Sequence, residues 1–490
     1  MSQQTRVHLI SLGCSRNDVD SEELAGRLAA GGYQLVAEPE EADAVMVNTC
    51  GFVESAKQDS VDTLLAAADL KHSGKAQAVV AVGCMAERYG SELAGALPEA
   101  DAVLGFDRYA TIAEDLQRIL SGESLPSHQP QDRRKLLPIA PKARPAAAGA
   151  VTIPGHAHHA DAGPDLPNGL APASGPRPVR QRLGTGPMAP LKMASGCDRR
   201  CTFCAIPAFR GAYLSRPPAE IVSEAQWLVS QGVREVFLVS ENSTSYGKDL
   251  GDLRLMEQVL EDLSEVEGLE WIRVSYLQPA EMRPSLINAM TSVPKVVPYF
   301  DLSFQHAAPG VLKRMRRYGD PASFAELVGA VRAHAPQAGI RSNVIVGFPG
   351  ETEDDVDVLA DFLADVSLDV VGVFGYSDED GTEAATMTDK VSADVIAERV
   401  DRITQLVSEL TDQRAEERVG ERWPVLVEEI DLDTGEVWGR APHQGPEVDG
   451  QVRLVDSEGE PLTAVAVGDL VQVECIDSEG VDLVGTRPPA

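Results

Sequence analysis

Three cysteines within one eight-residue stretch, Cys197, Cys201 and Cys204, carry the densest chemistry in the sequence. Their spacing is C-x3-C-x2-C, inside Ser195-Gly-Cys-Asp-Arg-Arg-Cys-Thr-Phe-Cys204, and no fourth cysteine lies close by. Structural zinc takes four ligands, commonly as two close pairs, so an odd triplet fits it poorly. Three thiolates on a short loop suit three irons of a four-iron, four-sulfur cluster. The fourth iron is then open to a ligand, and the cluster can do chemistry as well as carry electrons.

A second set is scattered. Cys14, Cys50 and Cys84 share no local motif, yet each follows directly on a predicted strand, in Leu12-Gly-Cys14, Val47-Asn-Thr-Cys50 and Val82-Gly-Cys84. In an open parallel sheet the strand carboxyl ends share one edge, where ligands bind at the topological switch point. Gly13, Gly51 and Gly83 allow close backbone approach there. One strand-end cysteine would read as a small buried hydrophobe. Three out of three favour a second cluster, again with an open iron. Cys475 falls inside a predicted strand and reads as core.

The elements that must position these thiols follow from hydrophobic patterning. Residues 7–12, 44–48 and 78–82 read as buried parallel strands, each followed by a helical stretch. That is the rhythm of a doubly wound α/β domain over residues 1–125. Residues 126–187 hold 12 of the 32 prolines and eight Lys or Arg against three acids, as expected of a disordered linker. Its run His156-Ala-His-His159 is read as incidental. From 188 to 418 come six strand–helix units, with strands near 191–194, 235–239, 271–275, 299–303, 342–346 and 370–374. They predict an open (β/α)6 partial TIM-like barrel with its chemistry at the strand carboxyl ends. Over 419–490, short β-like pieces between Gly, Asp and Ser turns predict a small antiparallel β-barrel.

With 490 residues the chain is long enough for two to four domains, and 43% hydrophobic content supports folded cores. No apolar run approaches a membrane span, and the opening Met-Ser-Gln-Gln-Thr-Arg lacks a signal-peptide core. A cytoplasmic protein with free thiols and no membrane partner is expected. The net charge of −33 disfavours a non-specific grip on nucleic acid and suits a basic partner, although acidity also simply keeps proteins soluble. Neither a P-loop nor a G-x-G-x-x-G fingerprint is present.

Other residues fall where the barrel rim is expected. Phe203, inside the cysteine loop, either flanks a bound adenine or packs. Gln305 and His306 follow the fourth barrel strand, and the histidine suits a structural role as well as a functional one. Gly347 ends the fifth strand, where glycine admits a nucleoside or serves an ordinary strand-to-helix turn.

Together these residues resemble the radical S-adenosylmethionine enzymes and, within them, the methylthiotransferases. The resemblance rests on both triads and on Gly196-Cys-Asp-Arg-Arg-Cys-Thr-Phe-Cys-Ala-Ile-Pro207, Arg210-Gly211, Ser215-Arg-Pro217 and Gly347-Phe-Pro-Gly-Glu-Thr-Glu353. A C-terminal TRAM-type barrel completes it, and it covers nearly everything outside 126–187. It implies two 4Fe-4S clusters, one per triad, with S-adenosylmethionine at the open iron of the Cys197 set. It also implies a reductant such as flavodoxin or ferredoxin, and no catalytic acid or base from a side chain. Reductive cleavage of S-adenosylmethionine yields a 5′-deoxyadenosyl radical that takes hydrogen from an unactivated carbon. The auxiliary cluster presents methylated sulfur to that carbon.

Two substrates compete within this branch: an adenosine beside the tRNA anticodon, and the β-carbon of an aspartate in the twelfth small-subunit ribosomal protein. Ser240-Glu-Asn-Ser-Thr-Ser-Tyr246-Gly247, Asp301-Leu-Ser-Phe-Gln-His-Ala307 and Val371-Gly-Val-Phe-Gly-Tyr376 are similar to the ribosomal-protein subfamily. Glu241-Asn242 stands where Gln-Asp is expected. Glu241 joins Phe203, Gln305 and Gly347 as the expected contacts to S-adenosylmethionine. Residues 421–490 hold 16 acids and 4 arginines, a net charge of −12. An RNA-gripping module needs Lys and Arg against phosphates, whereas an acidic one attracts a basic ribosomal protein. The expectation is therefore a monomeric ribosomal-protein methylthiotransferase. A tRNA-modifying enzyme and a non-enzymatic iron–sulfur electron carrier are the alternatives, and two open-iron triads argue against the carrier.

Overall fold

Every strand-to-helix joint expected in the first hundred residues is present, and the strand order explains where the cysteines land. The computed structural model describes residues 4–136 and 180–488. Most of the predicted linker, with His156, His158 and His159, lies outside the described residues. The chain forms two units: Met1–Leu183 with Ser195–Arg199 and Ala205–Leu214, and Gly184–Ala194 with Arg200–Cys204 and Ser215–Ala490.

In the first unit, β1 (Arg6–Ser11), β2 (Gln34–Leu35), β3 (Ala44–Thr49), β4 (Ala78–Gly83) and β5 (Ala102–Val103) form one parallel sheet. The order is β2-β1-β3-β4-β5, so the connection reverses between β1 and β3. β3 and β4 are buried along their whole length, as parallel strands covered on both faces must be. Helices α1 (Ser15–Ala30), α2 (Glu54–Ser73) and α3 (Cys84–Ala96) follow β1, β3 and β4, with α4 (Ile112–Leu120) later and the short α5 (Ile206–Arg210) joining from beyond the linker. β2 and β5 escape sequence reading because two residues carry no periodicity.

Both described ends of 126–187 bond to the sheet domain. His128 N–H donates to the Val103 carbonyl at 3.0 Å, and Arg133 Nε donates to Glu87 at 2.8 Å. Arg180 lies 3.1 Å from Glu22, whose carboxylate also accepts from Leu183 N–H at 3.1 Å. Composition reads this stretch as unstructured, but at its described ends two buried carboxylates, Glu87 and Glu22, hold Arg133 and Arg180.

In the second unit the strands run β6 (Met188–Lys192), then β9 (Glu235–Val239), β10 (Trp271–Val274), β11 (Tyr299–Asp301), β12 (Gly339–Val346) and β13 (Val370–Gly375). The two-residue strands β7 (Ala194–Ser195) and β8 (Leu214–Ser215) bracket the cysteine loop in sequence. β6, β9 and β10 pair in parallel, as do β11, β12 and β13. Parallel bridges Ile272–Val296 and Leu277–Leu302 connect the two groups, giving an open six-unit barrel in sequence order. Helix α6 (Pro218–Ser230) buries Ile221, Ala225 and Leu228, the stripe its sequence presents.

The C-terminal strands β14 (Arg422–Ile430), β15 (Val437–Arg440), β16 (Val452–Val455), β17 (Leu470–Glu479) and β18 (Asp482–Thr486) close in the order β14-β15-β16-β18-β17. The barrel is not wholly antiparallel: β16 and β18 pair in parallel. Five strands cannot alternate direction all the way round a ring, so one like-directed pair is unavoidable. Cys475 is buried in this core, as expected.

A buried ionic junction ties this small barrel to the large one. Glu235 accepts from Arg273 and Arg440, each at 2.6 Å, and Arg440 also reaches Glu428 at 2.6 Å. Burial acts to raise the Glu235 carboxyl, and the two arginines outweigh it and hold it below its usual range. Nearby, Tyr299 donates to Asp449 at 2.5 Å and Arg341 lies 3.1 Å from the same carboxylate.

Candidate metal centres

The scattered cysteines sit at the carboxyl ends of β1, β3 and β4, around the β1/β3 reversal where an open sheet offers its crevice. Cys14 is the N-cap of α1 and Cys84 the first residue of α3, positions at which a helix dipole favours a thiolate. Local bonds fix the backbone around Cys50 and Cys14. Ser60 on α2 accepts from Cys50 N–H and donates to its carbonyl, both at 2.9 Å. Asn17 donates to the Leu12 carbonyl at 2.6 Å, and Asn48 donates to the Asn17 carbonyl at 2.9 Å.

The thiols feel one another. Burial pushes Cys84 up to about 11, with Arg210 opposing and Cys14 adding to the rise. Burial also raises Cys50, against backbone N–H donation and with Cys14 adding. Cys14 goes the other way: burial would raise it, but Arg16 and Arg210 outweigh that and lower it. Three mutually repelling thiols ionise together only when a metal replaces their protons. Room is tight as well. A Cβ on Gly13, whose φ is +99°, would lie 2.8 Å from Cys50 Cβ and 2.9 Å from its sulfur. Three sulfur donors against glycine backbone fit a cluster with one iron left open.

The clustered cysteines are held differently. In the first unit, Cys197 N–H donates to the Gly211 carbonyl at 3.0 Å, and Arg199 N–H donates to Cys197 Sγ at 3.4 Å. Asp198 accepts from Tyr213 N–H at 3.0 Å. In the second unit, Thr202 hangs the loop on the end of α9 (Pro309–Arg314), donating through its hydroxyl to Arg314 O at 2.9 Å and through N–H to Met315 O at 3.2 Å. Arg317 Nη1 stands 3.8 Å from Cys201 Sγ, and its other nitrogen donates to the Ser303 carbonyl. This donor set, too, numbers three sulfurs, one fewer than the irons of a four-iron cluster.

The other expected residues share the rim of the large barrel. Glu241, Gln305 and Gly347 follow β9, β11 and β12. Gln305 is held at φ +71° by bonds from its N–H to Asn343 O at 3.0 Å and from Ile345 N–H to its carbonyl at 2.7 Å. A non-glycine residue in that region is strained, which is common at functional rims. Asn242, beside Glu241, donates to Glu281 at 2.9 Å. Phe203 packs, half-buried, against the cluster of Val311, Met315, Phe348 and Tyr376. Gly347 has φ +78°, and a Cβ there would run into Ile396 on helix α12 (Ala393–Glu416), so packing alone accounts for the glycine. His306 is fully buried; its Nδ1 accepts from Ala308 N–H at 2.9 Å and its Nε2 lies 3.3 Å from Glu351. Glu351 in turn accepts from Gly347 N–H at 2.7 Å and from Arg399 at 2.9 Å. His306 therefore braces the turn at Gly347.

Sequence reasoning gave no role to Arg210, Asp20, Arg317, Thr202 or Glu351. Arg210-Gly211 and Glu351 belong to quoted motifs, but a motif does not reveal a partner on another strand.

Comparison with known proteins agrees with this geometry. Residues 6–105 match Uncharacterized protein family UPF0004, 191–363 the Radical SAM superfamily and 419–487 the TRAM domain. The chain is 64% identical over 482 residues to the ribosomal protein uS12 methylthiotransferase RimO of Cutibacterium acnes, covering 98% of each chain. It is 61% identical over 489 residues to the protein of the same name from Streptomyces griseus, covering 99% of this chain and 98% of that one. Among solved structures, the radical S-adenosylmethionine methyltransferase TsrM of Kitasatospora setae superposes with TM-score 0.53 at 14% identity, over 78% of this chain and 77% of that one, a likeness of fold. The chain belongs to the ribosomal protein uS12 methylthiotransferase family of radical S-adenosylmethionine enzymes.

Proposed function

We propose that this protein transfers a methylthio group to the β-carbon of an aspartate in ribosomal protein uS12. In this reading Cys197, Cys201 and Cys204 hold the cluster that takes S-adenosylmethionine, and Cys14, Cys50 and Cys84 hold the auxiliary cluster. When bound, these groups supply one-electron C–H cleavage and the sulfur to be inserted. The chain's own task is to hold and aim them. Thr202 and Arg317 fix the cysteine loop, while Glu351, pinned by His306 and Arg399, shapes the turn at Gly347. In this reading the rim residues Glu241 and Gln305 offer polar groups to S-adenosylmethionine, and Phe203 offers it an apolar face. Hydrogen abstraction from an unactivated carbon depends on such positioning and on exclusion of water, with no side-chain base needed.

The small barrel carries the choice of a basic protein over tRNA. Of its four arginines, Arg440 is 1% exposed and committed to Glu235 and Glu428. Arg422 pairs with Glu474 at 2.6 Å and Arg453 lies 3.8 Å from Glu479. Among the described residues only Arg487 of the four has no acidic partner, so the surface offers phosphates almost nothing. A monomeric cytoplasmic enzyme reduced by flavodoxin or ferredoxin fits this reading.

Intact-mass analysis of ribosomal proteins from a deletion strain tests it. Loss of one methylthio group from uS12 alone is expected, restored by the wild-type gene and not by a Cys84→Ala or Cys201→Ala copy. An unchanged uS12 with a thiomethyl group missing from tRNA would reverse the substrate choice.

A further inference from the structure

We propose that Arg210 is a positioning residue for the auxiliary triad, setting through the sulfur of Cys84 the charge felt by a cluster bound there. The inference rests on the reading of Cys14, Cys50 and Cys84 as cluster ligands. Arg210 Nη2 donates to Cys84 Sγ at 3.0 Å and to Asp20 Oδ2 at 3.1 Å. Its side chain is 3% exposed and that of Asp20 is 0% exposed. The guanidinium also lies over the Phe106 ring, 5.1 Å from its centroid. A cation this deeply buried carries a large desolvation penalty, which the Asp20 carboxylate and the acceptor sulfur of Cys84 offset here. Charge-assisted donors to ligand sulfurs, with net charge and solvent exclusion, are what set a cluster's reduction potential.

The position of the arginine sharpens the role. It ends α5, just after the cysteine loop, and the carbonyl of its neighbour Gly211 accepts from Cys197 N–H. One short segment thus holds a ligand of each triad, Cys84 by a side chain and Cys197 by backbone. Side-chain substitution at Arg210 leaves the backbone bond in place and reports on Cys84. Tyr109 adds to the same surroundings. Its hydroxyl is buried without a hydrogen-bond partner among the described residues, and burial first, then Asp20 and Cys84, keep it protonated.

The test uses the full chain with Cys197→Ala, Cys201→Ala and Cys204→Ala, so that one reconstituted cluster remains, followed by redox titration under electron paramagnetic resonance. Arg210→Gln is expected to lower the midpoint potential at unchanged iron content, with Arg210→Lys between it and the parent. Asp20→Asn, which removes one negative charge beside the arginine, is expected to raise it. A role confined to packing does not give opposite signs. An unchanged potential in Arg210→Gln at full iron content overturns the proposal. If Arg210→Gln binds no iron, a fixed or lowered potential in Asp20→Asn overturns it. Absence of iron from the parent background itself defeats the assignment of the triad, a result distinct from either.

Discussion

Cys197, Cys201 and Cys204 are near one another because the chain is short between them. Cys14, Cys50 and Cys84 meet because three strands of one sheet end on the same edge. The first arrangement needs little fold to gather its sulfurs, but it needs straps, Thr202 and Arg317, to aim them. The second needs correct register across β1, β3 and β4, glycine where backbone meets sulfur, and a buried arginine against Cys84. Loop closure over a few residues has a small entropic cost, whereas long-range pairing must be supported by the whole domain. The loop triad should therefore tolerate a fault at the carboxyl ends of β1, β3 and β4 that the strand-end triad cannot.

Substitution of Gly13 gives the largest separation. An alanine there is strained at φ +99° and meets Cys50 at 2.8 Å, with a penalty of about 2–3 kcal/mol. Gly13→Ala is expected to halve the iron per chain and abolish product while S-adenosylmethionine cleavage by the loop triad persists. Full iron content in that variant would break the comparison.

Alkaline pH gives a smaller separation. Burial opposes the charge on His128, but Asp107 and Glu87 outweigh it and raise the ring from 6.5 to about 9. Because the folded value is the higher, the stability this strap contributes is fully present below pH 6.5 and is lost as pH rises through about 9. Glu87 lies on α3, one turn beyond Cys84, so the strand-end triad should shed iron over this window and the loop triad should not. A difference on the order of 2 kcal/mol is expected in the unfolding free energy from urea titrations at pH 7 and pH 10, flattened in His128→Gln.

Cys475→Ala is the smallest change and the control. A buried thiol in the β17 core is lost at about 1 kcal/mol, with no change in iron.

What the sequence discloses follows the same division. Both triads are legible, one from spacing and the other from apolar runs that stop at cysteine. β3 and β4 are plain because both faces are buried, while β2 and β5 are too short to show a pattern. Phe203, His306 and Gly347 remain ambiguous in sequence because each answer depends on a neighbour: the Phe348 cluster, Glu351 and Ile396. Arg210 illustrates the limit most clearly. Its motif is readable, yet the sulfur it touches lies 126 positions away. The parallel β16–β18 pair is hidden likewise, since direction in a closed ring depends on strand count.

The two ends of the linker have a practical consequence. Arg133 is moored to α3 through Glu87, and Arg180 to α1 through Glu22, so the chain leaves and re-enters one and the same sheet domain. Loss of one mooring, as in Glu87→Gln or Glu22→Gln, is thus a loss at one end only, with the other still anchored to the same domain.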